Sequence, residues 1–177
     1  CLKAPQPLSS WSRAVWLPLA KDLGRQAFVD AALNEGFPVR SRMRAIEILT
    51  ELFGGLNDEL LKKLLRANSA DVRARAVWSL GRIFPTVPDA GLLLPYLDDE
   101  DPLVVRLALE SLLGIADKSD LTPVLPALAR QLGSRKRFVR QAAARIVPKL
   151  SPANLKKLAT LANEIGPQAV LSMVYGL

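Results

Sequence analysis

Apolar side chains recur every three or four residues along four segments of the chain, and each segment opens with the dipeptide Val-Arg. The four copies are Val39-Arg40, Val72-Arg73, Val105-Arg106 and Val139-Arg140, spaced by 33, 33 and 34 residues. In the second segment the apolar positions are Val72, Ala76, Leu80 and Ile83. Residues three or four apart share one face of an α-helix, so each segment is predicted to be a helix with one buried stripe.

A second apolar segment precedes each of these helices, with a short polar link between the two. The preceding segments are Leu19–Asn34, Asp58–Ala67, Gly91–Leu97 and Pro123–Leu132. The links carry helix-start signals, since Ser69 or Asp71 can accept free backbone N–H groups and Pro102 suits a first helical turn. Stop signals follow the Val-Arg helices at Gly54-Gly55, Pro85, Gly114 and Pro148. The repeating unit is therefore predicted to be a helical hairpin of about 33 residues.

These hairpins are predicted to stack, because one helix pair cannot bury both faces of its apolar stripe whereas stacked neighbours can. We predict an all-α fold, an α-α superhelix (solenoid) of four to five helix pairs. The predicted sections are 1–17 as an N-terminal cap or linker, then the repeats 18–55, 56–86, 87–118, 119–150 and 151–177. A helical bundle is the alternative, but a bundle would not need one dipeptide at a constant spacing.

The third unit resembles a known family. The run Leu97–Arg106, with acidic residues before Pro102 and with Leu113-Gly114 at the helix end, is similar to the HEAT repeat. More narrowly, it resembles the short bacterial HEAT-like repeats first named from phycobilisome lyases. The resemblance extends over roughly Phe37 to Leu150, although the first copy lacks the preceding Asp and the fourth has Pro148 in place of Gly. It implies stacked helix pairs whose second helices line an inner face, and it says almost nothing about the ligand.

The composition is that of a globular, helix-rich protein without a recognisable active site. Half of the 177 residues are hydrophobic and 6% are aromatic. There is no His, the commonest general base and metal ligand, and Cys1 is the only cysteine. The acidic run Asp98–Asp101 lacks the spacing of a calcium loop, and Gly54-Gly55 lacks the Lys of a phosphate loop. We therefore predict no catalytic residue, no metal ligand and no cofactor.

Positive charge is concentrated near the C-terminal end of the sequence. The formal net charge is +7; residues 1–120 carry 15 basic and 16 acidic side chains, whereas residues 121–177 carry nine and one. The densest basic group is Arg135, Lys136 and Arg137, and Arg145 follows on the same predicted helix. Such a group attracts phosphates or carboxylates, but a solvated basic end without a ligand is the competing interpretation. Phe138 is predicted to be a core residue, which leaves base stacking poorly supported.

The arginines of the Val-Arg dipeptides have two interpretations. In the first, which we adopt, Arg40, Arg73, Arg106 and Arg140 form an inter-repeat ladder. Each then bonds an acidic group or a turn carbonyl of the neighbouring repeat, and Asp71 and Asp101 lie suitably in the turns. In the second, these arginines form a basic stripe on the inner face that the family resemblance implies.

Other residues of the same helices are candidates for partner binding. Trp78 falls off the apolar stripe of its helix, beside Arg75 and Arg82, and exposed Trp and Arg together are typical of interaction hot spots. Packing at the seam between two repeats is the competing explanation for Trp78. The predicted partner-binding residues are Arg42, Arg75, Trp78, Arg82, Arg135, Lys136, Arg137 and Arg145.

Three functions are compared. The leading hypothesis is a non-catalytic scaffold that binds an acidic partner protein or neighbouring domain through the inner face. The alternative is binding of a nucleic-acid backbone by the basic C-terminal half; some DNA glycosylases are built of HEAT-like repeats, but no matching catalytic group is found here. A tetrapyrrole lyase or chaperone is suggested only by the family name, since the lack of His and of an internal Cys leaves the chromophore without ligands.

The cellular setting is weakly constrained by the sequence. No apolar run reaches the roughly 18 residues that span a membrane, and no signal peptide is visible. A fragment of a larger chain is the favoured interpretation, and the apolar ending Val170–Leu177 agrees with it. A cytoplasmic location is slightly favoured, with a mature lipoprotein beginning at Cys1 as a minor alternative. The oligomeric state is left open.

Overall fold

The computed structural model describes residues 1–6, 9–82 and 89–177. Within these residues all regular secondary structure is helical and no strand occurs, so the predicted all-α fold class is confirmed. The chain forms two compact units, Cys1–Ile83 and Phe84–Leu177. The predicted apolar position Ile83, the predicted helix stop at Pro85 and the expected boundary between 86 and 87 lie outside the described residues.

The first unit contains two helical hairpins. Its helices are α1 (Ser10–Leu33), α2 (Val39–Leu52), α3 (Asp58–Leu64) and α4 (Ala70–Arg82). α1 packs against α2 and α3 against α4, and the hairpins stack because α1 also contacts α3 and α2 contacts α4. Phe28, Ile46, Leu49 and Leu64 lie in the core of this unit, each with at most 2% of its surface exposed.

α1 begins at Ser10, well before the predicted start at Leu19. The helix includes Pro18, and a proline inside a helix leaves the carbonyl four residues earlier without its N–H donor. Here Pro18 and Ala14 are both exposed, so water can hydrogen-bond that carbonyl. The helix is instead kinked at Gly24, whose φ of 74° and ψ of 166° suit glycine.

The second unit contains three hairpins. In chain order its elements are a 3₁₀ helix (Ala90–Tyr96), α5 (Pro102–Ile115), a 3₁₀ turn (Thr122–Val124), α6 (Leu125–Leu132), α7 (Arg137–Ala144), a second 3₁₀ turn (Val147–Lys149), α8 (Pro152–Ile165) and α9 (Pro167–Gly176). The second helices α5, α7 and α9 pack side by side in that order, and α6 packs against α8. One helix of every hairpin in this unit therefore contributes to a common face.

The Val-Arg dipeptides do not mark the same position in all four second helices. The fourth residues of α2, α4, α5 and α7 are Arg42, Arg73, Val105 and Arg140. Val72, Val105 and Val139 are buried, but Val39 is the first residue of α2 and is 37% exposed. The dipeptide Val39-Arg40 is therefore two residues out of register. The structural equivalent of the later repeat arginines is Arg42.

The arginines at the fourth position close their own hairpins; we call Arg42, Arg73 and Arg140 the closing arginines. Nε of Arg42 donates to the carbonyl of Ala32 at 3.0 Å, Nη1 of Arg73 to that of Ala67 at 3.0 Å, and Nη1 of Arg140 to that of Ser134 at 2.7 Å. These carbonyls lie at the end of the first helix or in the turn that follows it. The carbonyl of Ala32 lies in the last turn of α1 and has no N–H partner within the helix, so Arg42 supplies the missing donor. Arg73 and Arg140 supply a donor to carbonyls of the turn.

The predicted inter-repeat ladder is wrong for Arg106 and Arg140. Arg106 pairs with Glu110 of its own helix at 2.8 Å, and Arg140 bonds the turn of its own hairpin. Asp101 does not bond an arginine, because its side chain caps α5 by accepting a backbone N–H at 2.8 Å. Asp71 is exposed in the first turn of α4, where a negative charge suits the helix dipole.

The different surroundings of Arg42 and Arg40 in α2 predict different effects of their replacement on stability. Arg42→Met removes a charged donor and leaves the buried Ala32 carbonyl unpaired, so we expect the free energy of unfolding to fall by about 2 kcal/mol. Arg40→Met is the matched control, since Arg40 is exposed and has no bond within the described chain; we expect a change below about 0.5 kcal/mol. Urea unfolding followed by circular dichroism measures both, and equal losses would contradict the closing role of Arg42.

Candidate functional site

The first unit carries a continuous row of arginine, tryptophan and glutamate side chains, which we call the Arg–Trp row. Its members are Trp16 of α1, Arg44 and Glu47 of α2, and Arg75, Trp78 and Arg82 of α4. The guanidinium carbon of Arg44 lies 4.5 Å from the centre of the Trp16 ring, and its Nη1 lies 2.8 Å from Glu47. The other carboxylate oxygen of Glu47 lies 3.4 Å from Nε of Arg75.

The α4 end of this row is its accessible part. Arg75, Trp78 and Arg82 follow the spacing i, i+3, i+7, which places them on one helix face. The guanidinium carbons of Arg75 and Arg82 lie 4.9 and 5.1 Å from the centre of the Trp78 ring. Each such cation–π contact contributes about 0.5–1 kcal/mol at an exposed site. Trp78 is half-buried and Arg82 is exposed, so the cluster can meet an anionic or aromatic group.

The α2 end of the row is buried and structural. Arg44 is 5% exposed, and its Nε and Nη2 make no hydrogen bond within the described chain. The ring of Trp16, itself 1% exposed, lies against the guanidinium instead. Glu47 is therefore the carboxylate that balances both Arg44 and Arg75.

The structure brings together three of the four residues of the first unit that were predicted to bind a partner. Arg75, Trp78 and Arg82 come together as one cluster, in which Arg75 and Trp78 are half-buried and Arg82 is exposed. Arg42 does not join them, because it is 6% exposed and its Nε is bound to the Ala32 carbonyl. Arg44, Glu47 and Trp16 were not among the residues predicted to bind a partner. The i, i+3 spacing of Arg44 and Glu47 was a usable signal, whereas the contact with Trp16 joins two separate helices and needed tertiary structure.

The second unit has a groove of about 1120 Å³ on the face formed by its second helices. Each helix lines the groove with one stripe at intervals of three or four residues. The stripes are Arg106, Glu110 and Leu113 on α5, Arg137, Gln141 and Arg145 on and just after α7, and Gln168, Ser172 and Tyr175 on α9. Residues at these intervals share one helix face, so the packing of α5, α7 and α9 aligns three polar stripes.

Two cations in this groove have no partner within the described chain. Arg106 pairs with Glu110, Arg140 donates to its own turn, and Lys149 pairs with an aspartate outside the groove lining. Arg137 and Arg145 are exposed, and their side chains form neither an ion pair nor a hydrogen bond with the described residues. The groove therefore offers two free guanidinium groups, which suit carboxylate or phosphate oxygens.

Two aromatic rings also line the groove. Tyr175 is 87% exposed, and Phe138 is 39% exposed. The prediction that Phe138 is a core residue is wrong, because α7 buries Val139, Ala142 and Ala143 while Phe138 lies one position away from that stripe. The groove thus combines unpaired positive charge with exposed aromatic surface.

The three residues of the basic group, Arg135, Lys136 and Arg137, do not share one position relative to the groove. All three side chains are exposed, but Arg137 is the one that lines the groove. Lys136 occupies the N-cap position of α7, and Arg135 lies in the turn before it. Arg145, predicted for partner binding on separate grounds, lies in the same groove as Arg137.

Clustered metal ligands and membrane-spanning helices are both absent from the part of the chain that the structure describes. No group of three or more Cys, Asp or Glu side chains lies close enough there to hold a metal ion. No described helix combines the length and the apolarity needed to cross a bilayer.

Comparison with known proteins identifies the repeat. A family model described as HEAT repeats matches residues 57–147, just over half of the chain. The match extends from the N-cap of α3 to the 3₁₀ turn after α7 and so includes parts of both units. No curated protein matches the sequence significantly.

The contribution of Glu47, the carboxylate shared by Arg44 and Arg75, to stability can be tested by neutralising it. Glu47→Gln leaves the buried Arg44 and its neighbour Arg75 without a counter-charge, so we expect the free energy of unfolding to fall by about 2 kcal/mol. Glu59→Gln breaks an ion pair with Lys63 in which both side chains are exposed, and we expect no measurable change. Urea unfolding of both variants makes the comparison, and a stable Glu47→Gln variant would show that Glu47 is dispensable.

Proposed function

The chain belongs to the HEAT-repeat family, and we propose that it is a non-catalytic scaffold that binds an acidic segment of a partner protein in the groove of its second unit. HEAT repeats generally mediate protein–protein interaction and are typically non-catalytic. Beyond this general role, we propose that the partner binds in the groove of the second unit and that the bound segment is negatively charged. Its basis is the pair of unpaired, exposed arginines, Arg137 and Arg145, in one groove.

Charge complementarity supports an acidic partner. Five of the residues that line the groove are cationic, and Glu110 is the acid among them. Two unpaired guanidinium groups in a concave surface attract carboxylates over several ångströms and can hold each with two parallel hydrogen bonds. The aromatic rings of Phe138 and Tyr175 give apolar contact area beside the charges.

A protein is favoured over a nucleic acid by the position of Glu110. This carboxylate lines the groove, with Arg106 as its counter-ion. A nucleic-acid strand carries a charge at every nucleotide and would place some of that charge near Glu110. A peptide can carry carboxylates at the two free arginines and neutral residues elsewhere. Nucleic-acid binding remains the second candidate, because residues 121–177 are strongly basic and the exposed rings of Phe138 and Tyr175 could stack on bases.

The accessible end of the Arg–Trp row is proposed as a separate contact for a partner. Trp78 between Arg75 and Arg82 has the residue types that dominate binding energy at protein interfaces. Arg82 has no carboxylate partner among the described residues, so an acidic group on the partner could pair with it. Arg135 and Lys136 do not line the groove and are proposed to contribute only long-range attraction.

The groove can be tested with a fluorescein-labelled peptide that carries glutamates among neutral residues, in fluorescence anisotropy at low salt. We expect the double variant Arg137→Glu, Arg145→Glu to weaken binding at least tenfold, because both free guanidinium groups become repulsive. The double variant Arg135→Glu, Lys136→Glu is the matched control, since it makes the same change in net charge at two exposed residues outside the groove lining; it should change the affinity by about threefold or less. Equal losses would indicate a diffuse effect of net charge and would contradict a groove site.

The nucleic-acid alternative is tested by titrating a labelled DNA duplex at increasing salt concentrations. We expect weak binding at low salt and no dependence on Arg145. Tight binding that falls steeply with salt and disappears on charge reversal of Arg135, Lys136 and Arg137 would favour the nucleic-acid function instead.

The contact proposed at Trp78 is tested by affinity capture from the native lysate, analysed by mass spectrometry. We expect Trp78→Ala, Arg75→Ala to lose specific partners that the parent chain retains. The variant Trp11→Ala is the control, since Trp11 is 58% exposed and lies outside the Arg–Trp row. An unchanged set of partners would remove Trp78 from the binding surface.

A further inference from the structure

We infer that the groove of the second unit selects an extended peptide with two carboxylates four residues apart and neutral residues between them. This inference rests on the proposed function, since it assumes that the groove accepts an acidic protein segment. It adds the spacing of the charges and the conformation of the segment, neither of which follows from basic character alone.

The spacing follows from the positions of the two unpaired arginines. Arg137 is the first residue of α7 and Arg145 directly follows the helix, eight residues later. At a helical rise of 1.5 Å per residue, their backbones lie about 12 Å apart. An extended chain advances about 3.3 Å per residue, so residues i and i+4 lie about 13 Å apart. Those two side chains also point to the same side of the extended chain, because successive side chains alternate.

The polar residue between the two arginines favours an extended segment over a helical one. Gln141 lies four residues after Arg137 and four before Arg145 and lines the groove. It is exposed, and its side-chain amide makes no hydrogen bond in the described chain. Its amide offers both donors and an acceptor. An extended peptide carries backbone N–H and C=O groups that need such partners, whereas those of a helix are already paired within it.

The negative charge of Glu110 in the groove favours a peptide with neutral residues between its two carboxylates. Glu110 lines the same groove and is the acid among its lining residues. A third carboxylate in the middle of the peptide would meet Glu110 without a free arginine, since Arg106 is already paired with Glu110 at 2.8 Å. The groove therefore discriminates against uniformly acidic segments in favour of a spaced pair of charges.

The test uses labelled peptides of equal length and composition, rich in Ser and Gly, with two Glu residues separated by two, four, six or eight positions. Fluorescence anisotropy measures the affinity of each for the full chain. We expect the peptide with a separation of four to bind at least fivefold more tightly than the others. We also expect that replacing its middle residue with Glu does not improve the affinity.

Measuring the same peptides against protein variants shows which arginines produce the preference for a separation of four. Arg137→Gln and Arg145→Gln should each abolish the preference for a separation of four, whereas Arg135→Gln should preserve it. Circular dichroism confirms that each variant is folded before its affinity is compared. Loss of preference in the Arg135→Gln variant as well would overturn the assignment to the groove.

Different results would contradict the charge spacing inferred here and the binding of acidic peptides proposed above. Equal affinity at all four separations, with loss of binding in the double charge-reversal variant, would overturn this inference and leave the proposed function intact. Tightest binding at a separation of eight in an alanine-rich, helical peptide would also overturn it, because eight helical residues span the same 12 Å. No binding of any acidic peptide would contradict the proposed function itself.

Discussion

In three of the hairpins, a guanidinium near the start of the second helix hydrogen-bonds a carbonyl at the end of the first helix or in the turn that follows it, and this bond organises the hairpin. A first helix leaves its last carbonyls without donors, and the tight turn that follows keeps those carbonyls close to the next helix. Arg42 reaches back to such a carbonyl from the fourth position of α2, and Arg73 and Arg140 reach carbonyls of the turn from the fourth positions of α4 and α7. In α5 the same position is Val105, which is buried. The hairpin formed with α5 is therefore joined by apolar packing.

This use of arginine separates the basic residues into two classes. The closing arginines are committed to backbone carbonyls and contribute to stability. For arginines elsewhere on the second helices, the packing of neighbouring helices determines which groups they meet. In the first unit, Arg44 and Arg75 meet Glu47 and two tryptophan rings. In the second unit, Arg137 and Arg145 meet no acid within the described chain, which makes the groove the better candidate for an external anion.

The candidate site was partly predictable because some of its geometry is local to one helix. Arg75, Trp78 and Arg82 share a face through their spacing alone, and the structure confirms that they form one cluster. Arg42 was misassigned because the Val-Arg dipeptide placed it in the wrong register, by two residues. The difference between Arg137 and its neighbours Arg135 and Lys136 was not predictable, since all three are exposed and only the packing of α5, α7 and α9 creates a groove.

The sequence by itself determined the all-α fold class, the hairpin repeat of some thirty residues and the concentration of positive charge in residues 121–177. Those properties depend on periodicity and composition, which act within a helix or over a whole segment. Tertiary structure alone decided where each helix begins, which arginines bond a carbonyl and which remain unpaired. The physical reason is that hydrogen-bond partners such as the Ala32 carbonyl for Arg42 lie on other elements. A one- or two-residue change in register then decides whether a guanidinium is buried and bonded or exposed and free.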